Sequence, residues 1–122
     1  MSTTPMPCDG LIELRDAMRL FAAEREWERF HTPKNLAMAL SGEAGELIEH
    51  FQWLTPEESS KLRAPVREEV ALEMADVLLY LVRLADVLEI DLAEAARRKI
   101  AINAQRYPVE RARGRADKYD RL

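Results

Sequence analysis

Val70-Ala71-Leu72-Glu73-Met74-Ala75-Asp76-Val77-Leu78-Leu79-Tyr80-Leu81-Val82 decides how this chain folds. It shows no period-two alternation of apolar and polar residues, so it does not read as a half-buried strand. Its second half, Val77 to Val82, is apolar on every side, the pattern of a helix covered all round. A chain of 122 residues can hardly surround such a helix by itself. The expectation is therefore a second subunit lying over part of it. The first half sets Glu73 and Asp76 into the same apolar run, where stability alone would favour Leu or Ala.

Outward from this stretch the pattern stays helical. Pro65 opens the long helix, which continues through Leu84 and Leu88. Upstream, Thr55-Pro56-Glu57-Glu58 is a capping box with Pro at the first helical position and predicts a short helix. Thr32-Pro33 predicts the start of a helix reaching about Trp53, with Leu36, Leu40, Leu47 and Phe51 facing inward. Asp9 is placed to cap a first helix carrying Leu11, Leu14, Met18 and Phe21 and fading near Trp27. Downstream, Asp91-Leu92-Ala93-Glu94 reads as a second capping box, and its helix runs to about Tyr107, where Pro108 stops it. The fold class is all-α, a bundle of four main helices. Residues 1–8 read as a flexible leader, 9–107 as the helical domain and 108–122 as a basic C-terminal tail.

Composition narrows the function classes. The net charge is −4 and aromatic residues make up 7%, so neither a phosphate-neutralising surface nor a base-stacking platform for a nucleic-acid polymer is expected. Residues 106–122 hold six basic against three acidic side chains, which leaves the rest of the chain strongly acidic. The longest apolar stretch, six residues, is far short of a membrane span. The first residues lack the basic and apolar regions of a signal peptide. The single cysteine, Cys8, excludes an intrachain disulfide. A cytoplasmic protein is the expectation.

Glu43-Ala44-Gly45-Glu46 and Glu73-Met74-Ala75-Asp76 each put two carboxylates on one helix face. Like charges at that spacing repel, and apolar neighbours make the repulsion worse. A hard divalent cation between the pairs reverses the sign, and Mg²⁺, which takes oxygen ligands, suits four carboxylates. Glu69 and Tyr80 extend the second face, and Gly45 leaves room for a close approach between Glu43 and Glu46. The alternative is two sets of solvated acids on outer faces. A di-iron centre is disfavoured, because the two histidines, His31 and His50, are not in paired Glu-x-x-His motifs. Trp27, Phe30 and His31 precede the second helix and Trp53 follows it, where rings could stack on a base or simply fill the core. Lys99, Asn103, Arg106 and Tyr107 lie at helical spacing near the end of the last helix. They suit phosphates, or merely the helix dipole.

Taken together, Phe21 to His31, Pro33, Asn35-Leu36, Gly42 to Leu47, Phe51-Gln52-Trp53, Glu68-Glu69, Asp76-Val77-Leu78, Tyr80-Leu81, Lys99-Ile100, Asn103, Arg106-Tyr107-Pro108 and Lys118-Tyr119 strongly resemble the MazG-like all-α nucleoside triphosphate pyrophosphohydrolases, in particular the dCTP pyrophosphatase branch. The resemblance implies a subunit that dimerises, commonly with dimers paired into tetramers. It also implies Mg²⁺-dependent conversion of a nucleoside triphosphate and water to the monophosphate and pyrophosphate. Glu43, Glu46, Glu73 and Asp76 would then be both catalytic and metal-binding. Trp27, Glu28, Arg29, Phe30, His31, Trp53 and Tyr80 would contact base and sugar, and Lys99, Asn103, Arg106 and Tyr107 the phosphates or sugar. The implied substrate is dCTP or a modified pyrimidine deoxynucleoside triphosphate. One departure is Met18, beside Arg19, where eukaryotic members carry a His. A helical module that binds nucleotides or proteins without chemistry, and a purely structural bundle, are the competing readings.

Overall fold

The computed structural model describes residues 10–122. They form two compact units, residues 10–90 and residues 91–122. All regular structure among them is helical. The first unit holds α1 (Gly10–Glu24), a 3₁₀ turn (Glu28–Phe30), α2 (Pro33–Glu49), α3 (Pro56–Ser59) and α4 (Ala64–Val87). The second holds α5 (Leu92–Arg106), α6 (Val109–Ala112) and a 3₁₀ turn (Tyr119–Arg121). The all-α expectation holds, but the described residues carry six α-helices rather than four. The two beyond the main helices are α3, the short helix expected from its capping box, and α6, which was not expected; each is a single turn of four residues. No helix among the described residues is long and apolar enough to cross a membrane.

Local chemistry sets most of the boundaries. The Thr32 hydroxyl accepts from the Asn35 amide at 3.2 Å, and Pro33 starts α2 with its missing N–H where no partner is needed. Thr55 and Glu58 close the reciprocal capping box of α3. Asp91 caps α5 by accepting from the Glu94 amide. The expected second half of that box is not made, because the Glu94 carboxylate turns along the helix towards Arg97 and Arg98. The expected cap Asp9, like Cys8, lies outside the described residues. Helix α2 stops at Glu49 instead of reaching Trp53; the chain continues as tight turns, with the Phe51 and Gln52 amides both donating to the Ile48 carbonyl.

Helices α1 and α4 end alike. The Trp27 amide donates to the Ala22 carbonyl and the Glu26 amide to that of Ala23; Ile90 and Glu89 repeat this on Ala85 and Asp86. This is the Schellman ending, which needs a left-handed residue. Here the residues are Glu26 (φ 54°) and Glu89 (φ 56°), not glycines. In each case the reversed chain folds back towards a buried alanine, Ala22 or Ala85.

Helix α4 is the hub of the first unit, packing against both α2 and α1. The buried apolar residues are Ala22, Leu36, Val70, Val82 and Ala85. Of the expected inner face of α2, Leu36 is fully buried and Leu40, Leu47 and Phe51 are half-buried. The apolar run of α4 is only partly covered within the chain. Val82 is buried, Leu78 is exposed and the residues between are half-buried.

Candidate active site

Facing positions on α2 and α4 bring the carboxylates together. One oxygen from each of Glu43, Glu73 and Asp76 lies within 4.8 Å of the others. Glu46 stands beside this trio, within hydrogen-bonding reach of Glu43 and Glu73. One oxygen of Glu43 and one of Glu73 are shut off from solvent with no hydrogen-bond partner. Buried polar atoms in folded proteins are rarely left this way. Burial, followed by the neighbouring Glu46, Glu73 and Asp76 carboxyls, pushes Glu43 up to about 7. Glu73 is also raised, by burial first and then by the charge of Glu46. Four acids so placed share a proton or a cation. The donor set is all oxygen, and the two orphaned oxygens are what a hard divalent cation would satisfy. The close approach expected at Gly45 is not seen within the chain. A Cβ at that position would meet nothing within 4 Å.

A pocket of about 330 Å³ adjoins these helices, lined by Trp27, Phe30, His31, Asn35, Leu36, Ala39 and Tyr80. Of its rings, Trp27 and His31 brace each other, and Phe21 backs Trp27 from outside the lining. Phe21 and Trp27 meet edge to face at 5.8 Å, and Trp27 and His31 at 6.3 Å. The Schellman reversal at Glu26 brings Trp27 back to this position, and Asn35 anchors the 3₁₀ turn by donating to the Phe30 carbonyl. Ala39 precedes Glu43 by one helical turn on α2, and Tyr80 follows Asp76 by one turn on α4. Pocket and carboxylates thus succeed one another along the same two helices, four residues or about 6 Å apart in rise.

Of the residues singled out from the sequence, Trp27, Phe30, His31 and Tyr80 line this pocket. Glu28 and Arg29 are exposed on the 3₁₀ turn, with Arg29 over the Phe30 ring. Trp53 is 86% exposed beyond the end of α2 and is not a lining residue. Lys99, Asn103, Arg106 and Tyr107 belong to the second unit, where Arg106 and Tyr107 both contact the Tyr119 ring. Sequence reasoning missed the walls supplied by Asn35, Leu36 and Ala39. It also missed Arg83 and Asp86, which meet His31 and Arg19. These are charges set three apart in an apolar helix, the same signal that exposed Glu73 and Asp76.

Comparison with known proteins agrees with this geometry. The MazG-like family profile matches residues 38–122. The dCTP pyrophosphatase 1 of Mus musculus is 50% identical over 89% of this chain and 67% of its own length. That of Homo sapiens is 49% identical with the same coverage. The crystal structure of a pyrophosphatase from Archaeoglobus fulgidus DSM 4304 superposes with a TM-score of 0.78 at 42% identity, covering 84% of this chain and 96% of that one. With its acid pairs facing each other across α2 and α4, the chain belongs to the MazG-like family, where it groups with the dCTP pyrophosphatases.

Proposed function

We propose that this protein is a Mg²⁺-dependent nucleoside triphosphate pyrophosphohydrolase that clears dCTP and modified pyrimidine deoxynucleoside triphosphates. The observation that carries this reading is the Glu43, Glu73 and Asp76 oxygen cluster one helical turn from an aromatic pocket. The aromatic rings lining the pocket offer faces on which a base can stack, and the carboxylates then fall beside the phosphates. The names of the similar dCTP pyrophosphatases support the base preference.

In the reaction, water attacks the α-phosphorus, the bond from that phosphorus to the bridging oxygen breaks, and the nucleoside monophosphate and pyrophosphate leave. Glu43, Glu73 and Asp76, with Glu46 beside them, would hold Mg²⁺, which would supply positive charge to neutralise the phosphates and polarise phosphorus. The chain's own groups do the rest. Glu46, which stands beside the trio, orients the water and accepts its proton, with Glu69 one turn from Glu73 on α4 as the other carboxylate in reach. Trp27, Phe30 and Tyr80 exclude solvent around the base, which strengthens charge interactions in the site.

The same reading includes a homo-oligomer, a dimer or a pair of dimers, located in the cytoplasm and acting without a nucleic-acid polymer. Exposed Leu72 and Met74 on α4 support self-association. The test is pyrophosphate release from each deoxynucleoside triphosphate, including 5-methyl-dCTP, with Mg²⁺ and then with EDTA. Metal-dependent release with dCMP as product is expected. Glu43→Gln should lower turnover by at least a hundredfold with unchanged helical content. Absence of release from every substrate would favour a non-catalytic binding module.

A further inference from the structure

Arg83 is the one buried charged side chain among the described residues, 5% exposed on α4 and outside the acid cluster. A buried guanidinium is tolerated only where its N–H groups are matched. Its Nε donates to Nδ1 of His31 at 3.0 Å, and its Nη1 donates to Oδ2 of Asp86 at 3.2 Å. Asp86 is gripped from the other side by Arg19 of α1, whose Nε and Nη2 each donate to one carboxylate oxygen. These contacts hold Asp86 below the usual carboxylate range, with the Arg19 hydrogen bond the largest cause. A chain of four side chains, Arg19, Asp86, Arg83 and His31, therefore runs from α1 through α4 to the wall of the aromatic pocket.

This arrangement decides the state of the imidazole. Arginine has donors and no acceptor, so the Nδ1 that receives its N–H carries a lone pair. The ring proton must then sit on Nε2. Burial and the adjacent Arg83 charge favour the neutral ring. Nε2 has no hydrogen-bond partner among the described residues, although His31 lines the pocket. A phosphate would call for a cation here. A neutral donor among Trp27, Phe30 and Tyr80 instead suits a neutral acceptor on a flat ring.

We propose that Arg83, oriented by Asp86 and Arg19, is a positioning residue for substrate recognition: it locks His31 as a neutral Nε2–H donor to a carbonyl or ring nitrogen of the nucleobase seated in the aromatic pocket. This rests on the pyrophosphohydrolase reading for its substrate, but the locked tautomer stands without it. The first test is the ¹H–¹⁵N spectrum of the imidazole rings in the full chain, with His50→Gln used for assignment. His31 is expected with Nδ1 bare and Nε2 protonated; a protonated Nδ1 overturns the proposal. The second is a kinetic cycle. Arg83→Met and His31→Ala should each raise KM for dCTP about five- to tenfold with kcat little changed, and the double variant should lose no more than either alone. Additive losses would make Arg83 merely structural.

If Arg83→Met does not fold, Arg83→Lys keeps the charge beside Asp86 but lacks the fork that reaches His31. It should show the same non-additivity, and additive losses would again overturn the proposal. The loss should also depend on the base. An equal loss for every deoxynucleoside triphosphate would move the donor to sugar or phosphate and overturn the base assignment. A protein that turns over no nucleotide but shows the bare Nδ1 would sink the activity and leave the lock intact.

Discussion

Glu43 is where proton and metal compete. Between the ordinary carboxylate value and about 7, the folded chain keeps a proton that the unfolded chain releases. Stability of the metal-free protein should therefore fall as pH rises through that window, because the native state binds more protons there. Mg²⁺ should reverse the trend, raising the melting temperature more at about pH 8 than at about pH 5, since ligand carboxylates must be deprotonated to bind. Thermal melts with EDTA and with Mg²⁺ measure both slopes. Glu43→Gln should flatten each of them, and a melting temperature indifferent to Mg²⁺ at every pH would contradict the cation assignment. The sequence made these acids legible because a charge inside an apolar run demands a reason. It hid the contact between Arg83 and His31, which lie 52 positions apart and meet only once α4 is in place. The exposure of Trp53 was equally hidden, because nothing local reports that α2 stops at Glu49.

At the scale of the element, starts were easier to read than ends. Thr32, Thr55 and Asp91 cap their helices through bonds spanning three residues, a range at which composition is enough. The Schellman reversals after α1 and α4 escaped notice because their usual mark is glycine, and here Glu26 and Glu89 occupy the left-handed position. That backbone region costs a side-chain-bearing residue roughly 1–2 kcal/mol. Glu89→Gly should therefore stabilise the protein by about 0.5–1 kcal/mol, after the greater chain entropy of glycine is subtracted. The expected gain is a few degrees in melting temperature. Glu89 is outside the site, so activity should not change; a lower melting temperature would show that its side chain contributes more than its backbone costs.

For the molecule as a whole, the telling property is how little of the apolar surface a single chain covers. Leu36 is the one leucine among the described residues that is almost wholly enclosed, while Leu72 is 60% and Met74 56% exposed on the central helix. An oligomer that covers this face adds stability by mass action, so the melting temperature should climb with protein concentration. Replacing Leu72 and Met74 together by Gln should lower the mass seen in sedimentation towards that of one chain and abolish the concentration dependence. An unchanged mass would place the subunit contact elsewhere.

Helices α2 and α4 also act as a gauge. Ala39 and Glu43 on one, and Tyr80 and Asp76 on the other, mark off the same single turn between the aromatic pocket and the carboxylates. The interval is graduated in helical pitch rather than in loop length, so thermal motion of connecting segments cannot stretch it. One residue inserted between Ala39 and Glu43 would swing the second mark about 100° around the helix axis. Each half would keep its own side chains, but a rigid molecule spanning both would no longer be measured correctly.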